Sequence, residues 1–200
     1  MNPAELIAGV AATKRRGLPA QESMVALSSV LTEFVTDPAN RQVVLPRSTR
    51  GLYTRMLLNA PDDDFQIVVV SWSPHSASPI HDHSGTIGAV AALTGTTIER
   101  KHRIVQSGGG VVRLQQRDVL RLSGRTVTPI LPEEDFQLHD MANTTDEWAA
   151  TVHVYLTPVN DFFIYEPRPD GTYRMQPRRL WFDLQDARHL WDKGPTRHVA

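Results

Sequence analysis

Between Pro19 and the Asp37-Pro38 pair, apolar residues recur every three to four positions, at Met24, Leu27, Val30, Leu31 and Phe34, the spacing of a helix that buries one face. Residues 1–40 are therefore read as helical. From Arg50 onward the rhythm changes to short runs rich in Val, Ile, Thr and aromatic residues, separated by clusters of Gly, Pro, Asp and Asn. Such runs predict strands at 52–58, 65–72, 87–93, 96–105, 111–115, 119–122, 126–130, 136–141, 148–156 and 162–165. Turns are expected at Ala60-Pro61-Asp62-Asp63-Asp64, Leu93-Thr94-Gly95, Ser107-Gly108-Gly109-Gly110 and Pro169-Asp170-Gly171. About ten short antiparallel strands point to a closed barrel or jelly roll, because closure protects sheet edges. The expected order is helices over 1–40, a β-barrel over about 50–166, and a segment over 167–200 that wraps the outside with Trp181, Phe182 and Trp191.

A length of 200 residues suits one domain with a substantial core, and 40% hydrophobic with 22% charged residues is an ordinary globular balance. Twenty-one Lys and Arg against 22 Asp and Glu leave no basic surplus for neutralising phosphates, which argues against a nucleic-acid partner. The longest apolar runs, such as Ile67 to Val70, are too short to cross a bilayer, so no membrane partner is expected and a cytoplasmic location is. The absence of cysteine excludes disulfides, thiolate metal ligands, iron–sulfur clusters and cysteine nucleophiles. Eight histidines in such a chain are the chemistry that remains.

His81-Asp82-His83 follows Pro79-Ile80 at the mouth of a strand. Alternation along a strand puts His81 and His83 on one face and Asp82 on the other, so two imidazoles can meet one metal ion. His139, in Gln137-Leu138-His139-Asp140-Met141-Ala142-Asn143, lies on another expected strand and would complete a facial site with open positions. A pair of hydrogen-bonded surface histidines is the bland reading of a lone His-x-His, and His75, His102, His189 and His198 are read as surface or structural. Phe136 and Trp72 are read as core.

The His-x-His followed by a distant His-x-x-x-Asn, in an all-β chain, resembles the two motifs of the cupin superfamily over about Arg50 to Tyr165. That resemblance implies a double-stranded β-helix, or jelly-roll barrel, preceded here by helices. Gly95 stands at the glycine of the first motif, but Gly88 stands where a glutamate ligand is usual, so no carboxylate completes the ligand set. Three neutral imidazoles leave the metal its full positive charge, which favours an anionic ligand such as a thiolate. Among cupins this set is similar to the thiol dioxygenases, the cysteine dioxygenase-like family.

The family carries an arginine in a Tyr-Thr-Arg stretch that pairs with the substrate carboxylate, and Tyr53-Thr54-Arg55 stands 26 residues before His81. It also carries Ser, His and Tyr at alternate positions of a strand behind the metal, matched by Thr151, His153 and Tyr155 with Thr for Ser. Val152 and Val154 would face the other layer. The resemblance thus implies Fe(II) on His81, His83 and His139, O2 as co-substrate, Arg55 and Tyr53 as substrate-binding residues, and Tyr155, His153 and Thr151 as catalytic residues. The expected reaction adds both oxygen atoms to the sulfur of a small carboxylate-bearing thiol, such as cysteine, mercaptosuccinate or 3-mercaptopropionate. Mammalian relatives carry, at the position of Gly88, a cysteine cross-linked to the tyrosine; this chain resembles the bacterial type with a free phenol and an arginine clamp. Arg168, Arg174, Arg178 and Arg179 are candidates for a second cationic contact to a dicarboxylate. Zinc or nickel on the same histidines, in a hydrolase or isomerase, and a non-catalytic carboxylate-binding cupin remain the alternatives. Oligomeric state is not legible.

Overall fold

Local signals set the N-terminal helices. In the computed structural model, which describes residues 1–48, 52–132 and 137–192, Asn2 caps α1 (Pro3–Arg15) by accepting from the Glu5 N–H while the Glu5 carboxylate accepts from the Asn2 N–H. Helix α2 (Ala20–Thr36) buries Met24, Leu27, Leu31 and Phe34, the stripe read from the sequence. The Asp37-Pro38 pair ends it and starts another, since the Asp37 side chain accepts from the Ala39 N–H to cap α3 (Pro38–Arg41).

Eleven strands follow: β1 (Tyr53–Leu57), β2 (Gln66–Trp72), β3 (Ile80–His81), β4 (Gly88–Thr94), β5 (Thr97–Gly108), β6 (Val111–Leu122), β7 (Val127–Ile130), β8 (Leu138–Ala142), β9 (Ala149–Tyr155), β10 (Asp161–Pro167) and β11 (Tyr173–Arg179), then a short α4 (His189–Asp192). They form two antiparallel sheets, a five-stranded one in the order β1-β2-β9-β4-β7 and a six-stranded one in the order β10-β11-β6-β5-β8-β3 that closes through β3 and β10. This is a double-stranded β-helix, as expected, with helices added at the N-terminus.

Period-two alternation splits the five-stranded sheet into two faces. Ile67, Val69, Val152 and Val154 join Leu27, Leu31 and Phe34 in the core under the helices. Val68, Val70, Trp72, Val90 and Tyr155 face the second sheet. The turn from β4 to β5 needs glycine, because Gly95 has φ of +66° and a Cβ there would lie 2.9 Å from Ala149.

Three expectations are corrected. Residues 111–115 and 119–122 belong to one strand, β6; its polar middle, Gln115 to Asp118, is exposed but continues the ladder with β5. Tyr173–Arg179, assigned to the outer wrap, is instead strand β11, paired along its length with β10 and at Tyr173 and Arg174 with β6. The strand at whose mouth His81 and His83 were expected is the two-residue β3, which ends at His81. Phe136 and His198 lie outside the described residues. Among the described residues, no helix is long and apolar enough to cross a membrane.

Candidate metal centre

His81 and His139 come together because β3 and β8 pair with these two residues as direct partners. His83 arrives differently from the sequence expectation: it lies beyond the end of β3, in a turn rather than on the strand. Asp82 shapes that turn, its Oδ1 accepting from the N–H groups of Ser84 and Phe163, and Ser84 and Gly85 take positive φ. The three rings pack with centroids 4.6 to 5.0 Å apart, and one nitrogen from each lies within 4.8 Å of the other two.

The hydrogen bonds of the outward nitrogens fix which nitrogen each ring presents. His81 Nδ1 donates to the Pro79 carbonyl at 2.9 Å, His83 Nδ1 to the Gln137 carbonyl at 3.3 Å, and His139 Nδ1 to the Glu99 carboxylate at 2.7 Å. Carbonyl and carboxylate oxygens only accept, so each Nδ1 carries the proton and each Nε2 keeps a bare lone pair. His83 Nε2 and His139 Nε2 are buried with no hydrogen-bond partner. Two buried lone pairs left this way, converging with the Nε2 of half-buried His81, fit a metal ion that takes imidazole nitrogen. Burial, and then the neighbouring histidines, hold His83 and His139 well below the usual imidazole pKa, so both are neutral at physiological pH.

Glu99 is the residue that sequence reasoning missed. The converging group holds three histidines and no carboxylate, but Glu99 on β5 is fully buried beside it, with Oε1 on His139 and Lys101 Nζ at 3.9 Å. It lies behind a ligand rather than among the ligands. Its signal was the alternation of Thr97, Glu99 and Lys101, all buried, on a strand whose inner face is polar.

A cavity of about 50 Å³ opens over His81 and His83. Arg55, His153 and Tyr155 line it on the polar side, and Val68, Val70, Trp72, Phe162 and Leu180 on the apolar side. His139 sits deeper and does not line it. Tyr53 and Arg55 share a face of β1; an Arg55 N–H donates to the Tyr53 hydroxyl at 3.0 Å, and the guanidinium lies 4.8 Å from the Tyr53 ring and 5.3 Å from that of Trp181. Residues 180–187 strap this region down: the Asp183 carboxylate accepts from the Arg55 N–H, the Asp183 N–H donates to the Arg55 carbonyl, and Leu57 pairs with Leu184 and Ala187.

Thr151, His153 and Tyr155 line one face of β9, as expected. Thr151 Oγ1 is 2.8 Å from His153 Nε2, and His153 Nδ1 is 3.3 Å from the Tyr155 hydroxyl. Trp72, read as core, is buried but also lines the cavity and donates its indole N–H to Thr151 at 2.9 Å. With one Thr151 lone pair taken by Trp72, donation from the Thr151 hydroxyl to His153 Nε2 puts the ring proton on Nδ1. His153 then donates to the Tyr155 oxygen, and the Tyr155 O–H is free to point into the cavity. Burial lowers the His153 pKa to about 3 and raises that of Tyr155, so His153 is neutral and Tyr155 protonated at neutral pH.

The remaining candidates sit elsewhere. Arg168 faces Asp170 at 3.7 Å and Arg178 faces Glu166 at 3.3 Å, and neither they nor Arg174 and Arg179, the candidates for a second cationic contact, line the cavity. His102 is buried against Asp140, which also binds Arg100; His75 pairs with Asp146 at an exposed site, and His189 is exposed. Gly88 is the direct partner of Tyr155 across β4 and β9, and a Cβ there would lie 2.5 Å from the Val154 carbonyl oxygen and 3.1 Å from the Tyr155 ring.

A family model described as cysteine dioxygenase type I matches residues 23–168. Among solved structures, a cupin superfamily protein from Desulfitobacterium hafniense is 12% identical over 59% of this chain and 87% of that one, with a TM-score of 0.43. A protein from Thermus thermophilus is 16% identical over 57% and 90%, with a TM-score of 0.43. An uncharacterized protein with a double-stranded β-helix domain from Klebsiella pneumoniae is 19% identical over 57% and 84%, with a TM-score of 0.36.

Proposed function

We propose that this chain, which belongs to the cysteine dioxygenase type I family, is a thiol dioxygenase that converts a small carboxylate-bearing thiol and O2 into the corresponding sulfinic acid, R–SH + O2 → R–SO2H. The observation that carries the reading is the convergence of three bare imidazole nitrogens beneath a cavity that also holds one guanidinium and one buried phenol. An Fe(II) ion held by His81, His83 and His139 would bind thiolate and O2 and relay electrons from the sulfur to O2.

The protein's own groups divide the remaining work. Arg55 pairs its planar fork with the substrate carboxylate and so sets where the sulfur lies. Tyr155 donates its hydroxyl proton to developing negative charge on oxygen or sulfur, and His153, Thr151 and Trp72 hold that hydroxyl in place. Val68, Val70, Phe162 and Leu180 exclude water, which strengthens both contacts. Among the described residues lining the cavity, Arg55 is the one lysine or arginine, so thiols with a single carboxylate, cysteine or 3-mercaptopropionate, are expected to be used ahead of mercaptosuccinate.

The test is iron content together with thiol-dependent O2 uptake across cysteine, 3-mercaptopropionate, mercaptosuccinate and cysteamine, with the sulfinate product identified. Arg55→Ala is expected to depress turnover of the carboxylate thiols at least tenfold more than that of cysteamine, the loss of a charge-assisted pair of roughly 1.5–3 kcal/mol. Iron-replete protein that consumes no O2 with any of them refutes the reading, and activity restored only by zinc or nickel replaces it with Lewis-acid chemistry.

A further inference from the structure

We infer that Glu99 is a positioning residue of the metal centre: from behind His139 it fixes the ring with Nε2 bare and supplies the negative charge that a ligand set of three neutral imidazoles lacks. The inference rests on the reading of His81, His83 and His139 as metal ligands and not on the reaction catalysed there.

Glu99 is 0% exposed, and its two carboxylate oxygens have different fates. Oε1 accepts from His139 Nδ1 at 2.7 Å, whereas Oε2 is buried without a close hydrogen-bond partner; burial pushes the carboxyl pKa up, and the Lys101 ammonium and the Thr128 hydroxyl pull it back. A buried carboxylate served this sparsely is costly unless positive charge lies close by. One positive charge is Lys101, two residues along the same inward face of β5, with Nζ 3.9 Å from Oε1 and bonded to the Pro129 carbonyl. That separation is too long for a hydrogen bond, so the ammonium balances the carboxylate only in part. The other side of the His139 ring presents the bare Nε2. A divalent cation there would complete a cation–imidazole–carboxylate line, in which the carboxylate makes the ring a stronger donor and offsets part of the ion's charge.

Strand register makes this arrangement rigid. His139 is the direct partner of Lys101 and Met141 that of Glu99, so carboxylate, ammonium and imidazole project from alternate rungs of one ladder into the same interior. Donor strength and site charge govern how tightly a cation is held and how readily it is oxidised. Glu99 is therefore expected to raise metal affinity and to lower the Fe(III)/Fe(II) potential, and Lys101 to act in the opposite direction.

Glu99→Gln separates charge from shape, because the amide oxygen can still accept from His139 Nδ1. Anaerobic titration of the metal-free protein with Fe(II) or Co(II), without thiol, should show affinity roughly 10- to 100-fold weaker in Glu99→Gln than in wild type. The Fe(III)/Fe(II) midpoint should move to higher potential. Lys101→Met, which leaves Glu99 less neutralised, should move the midpoint the other way, and it decides the matter should Glu99→Gln fail to fold. A purely structural carboxylate would leave affinity and midpoint of a folded Glu99→Gln at wild-type values, and that result, or a Lys101→Met shift of the same sign as Glu99→Gln, overturns the inference. Wild-type protein that takes up no divalent ion overturns the reading of the site and this inference with it; normal uptake beside an indifferent variant overturns the inference alone.

Discussion

At the scale of single residues, Gly88 shows how little room the centre leaves. A Cβ at this position would sit 2.5 Å from a backbone oxygen of β9, which cannot turn aside as a side chain could. Gly88→Ala is therefore expected to destabilise by about 2 kcal/mol, within the usual range for overpacking a tight site. The melting temperature should drop by roughly 4–8 °C; an unchanged melt would show that β4 and β9 part easily. The absence of the cross-linking cysteine thus matches the packing as well as the composition. Histidines 81 and 83 were legible as a local His-x-His and His139 through its place in the second motif, although a turn, not strand alternation, aims His83. Glu99 was not: it is one of 22 acidic residues, 40 positions from the ring it serves, and only the register of β5 against β8 joins them. Trp72 was half legible, since its burial follows from its strand but its donation to Thr151 depends on which strands are neighbours.

At the scale of elements, segments that bury one face were readable and segments wet on both faces were not. Strands β2, β4 and β9 are buried along nearly their whole length, and their apolar runs announced them. The middle of β6 and most of β11 are polar and exposed, so they carry no alternation; backbone pairing with β5 and β10 holds them instead. The strap over residues 180–187 looked like an outer wrap, and so it is, but it is stitched to the backbone of β1 at Arg55 and at Leu57. It carries Trp181, 57% exposed, against the guanidinium that the Tyr53 ring also contacts. A cation–π contact at such an exposed site is worth about 0.5–1 kcal/mol. Trp181→Ala should accordingly raise KM for carboxylate thiols about two- to fivefold, leave kcat nearly unchanged, and leave cysteamine unaffected. An equal effect on cysteamine would show that the strap acts on the whole cavity rather than on Arg55.

At the scale of the whole molecule, stability and metal loading are coupled through buried imidazoles. His83, His139 and His153 are each at most 5% exposed and held below the ordinary imidazole pKa by burial, to about 3 for His153. As pH falls through about 6.5 the unfolded chain binds protons that the metal-free folded state refuses. Stability is thus complete above that pH and is lost below it, by about 1.4 kcal/mol per pH unit for each such histidine. Thermal melts of the metal-free protein should be nearly level from pH 8 to 7 and fall steeply from pH 6.5 to 5, and a level profile throughout would contradict the neutral assignments. Added divalent metal should raise the melting temperature at pH 7.5 far more than at pH 5.5, where protons compete for the same nitrogens. The division of labour between the two sheets has a further consequence. His81, His139 and, behind it, Glu99 belong to the six-stranded sheet, whereas Arg55, Trp72, His153 and Tyr155 all belong to the five-stranded one. On the proposed function, the gap between the sheets is thereby a gauge of molecular length, measuring how far a substrate's sulfur stands from its anionic end.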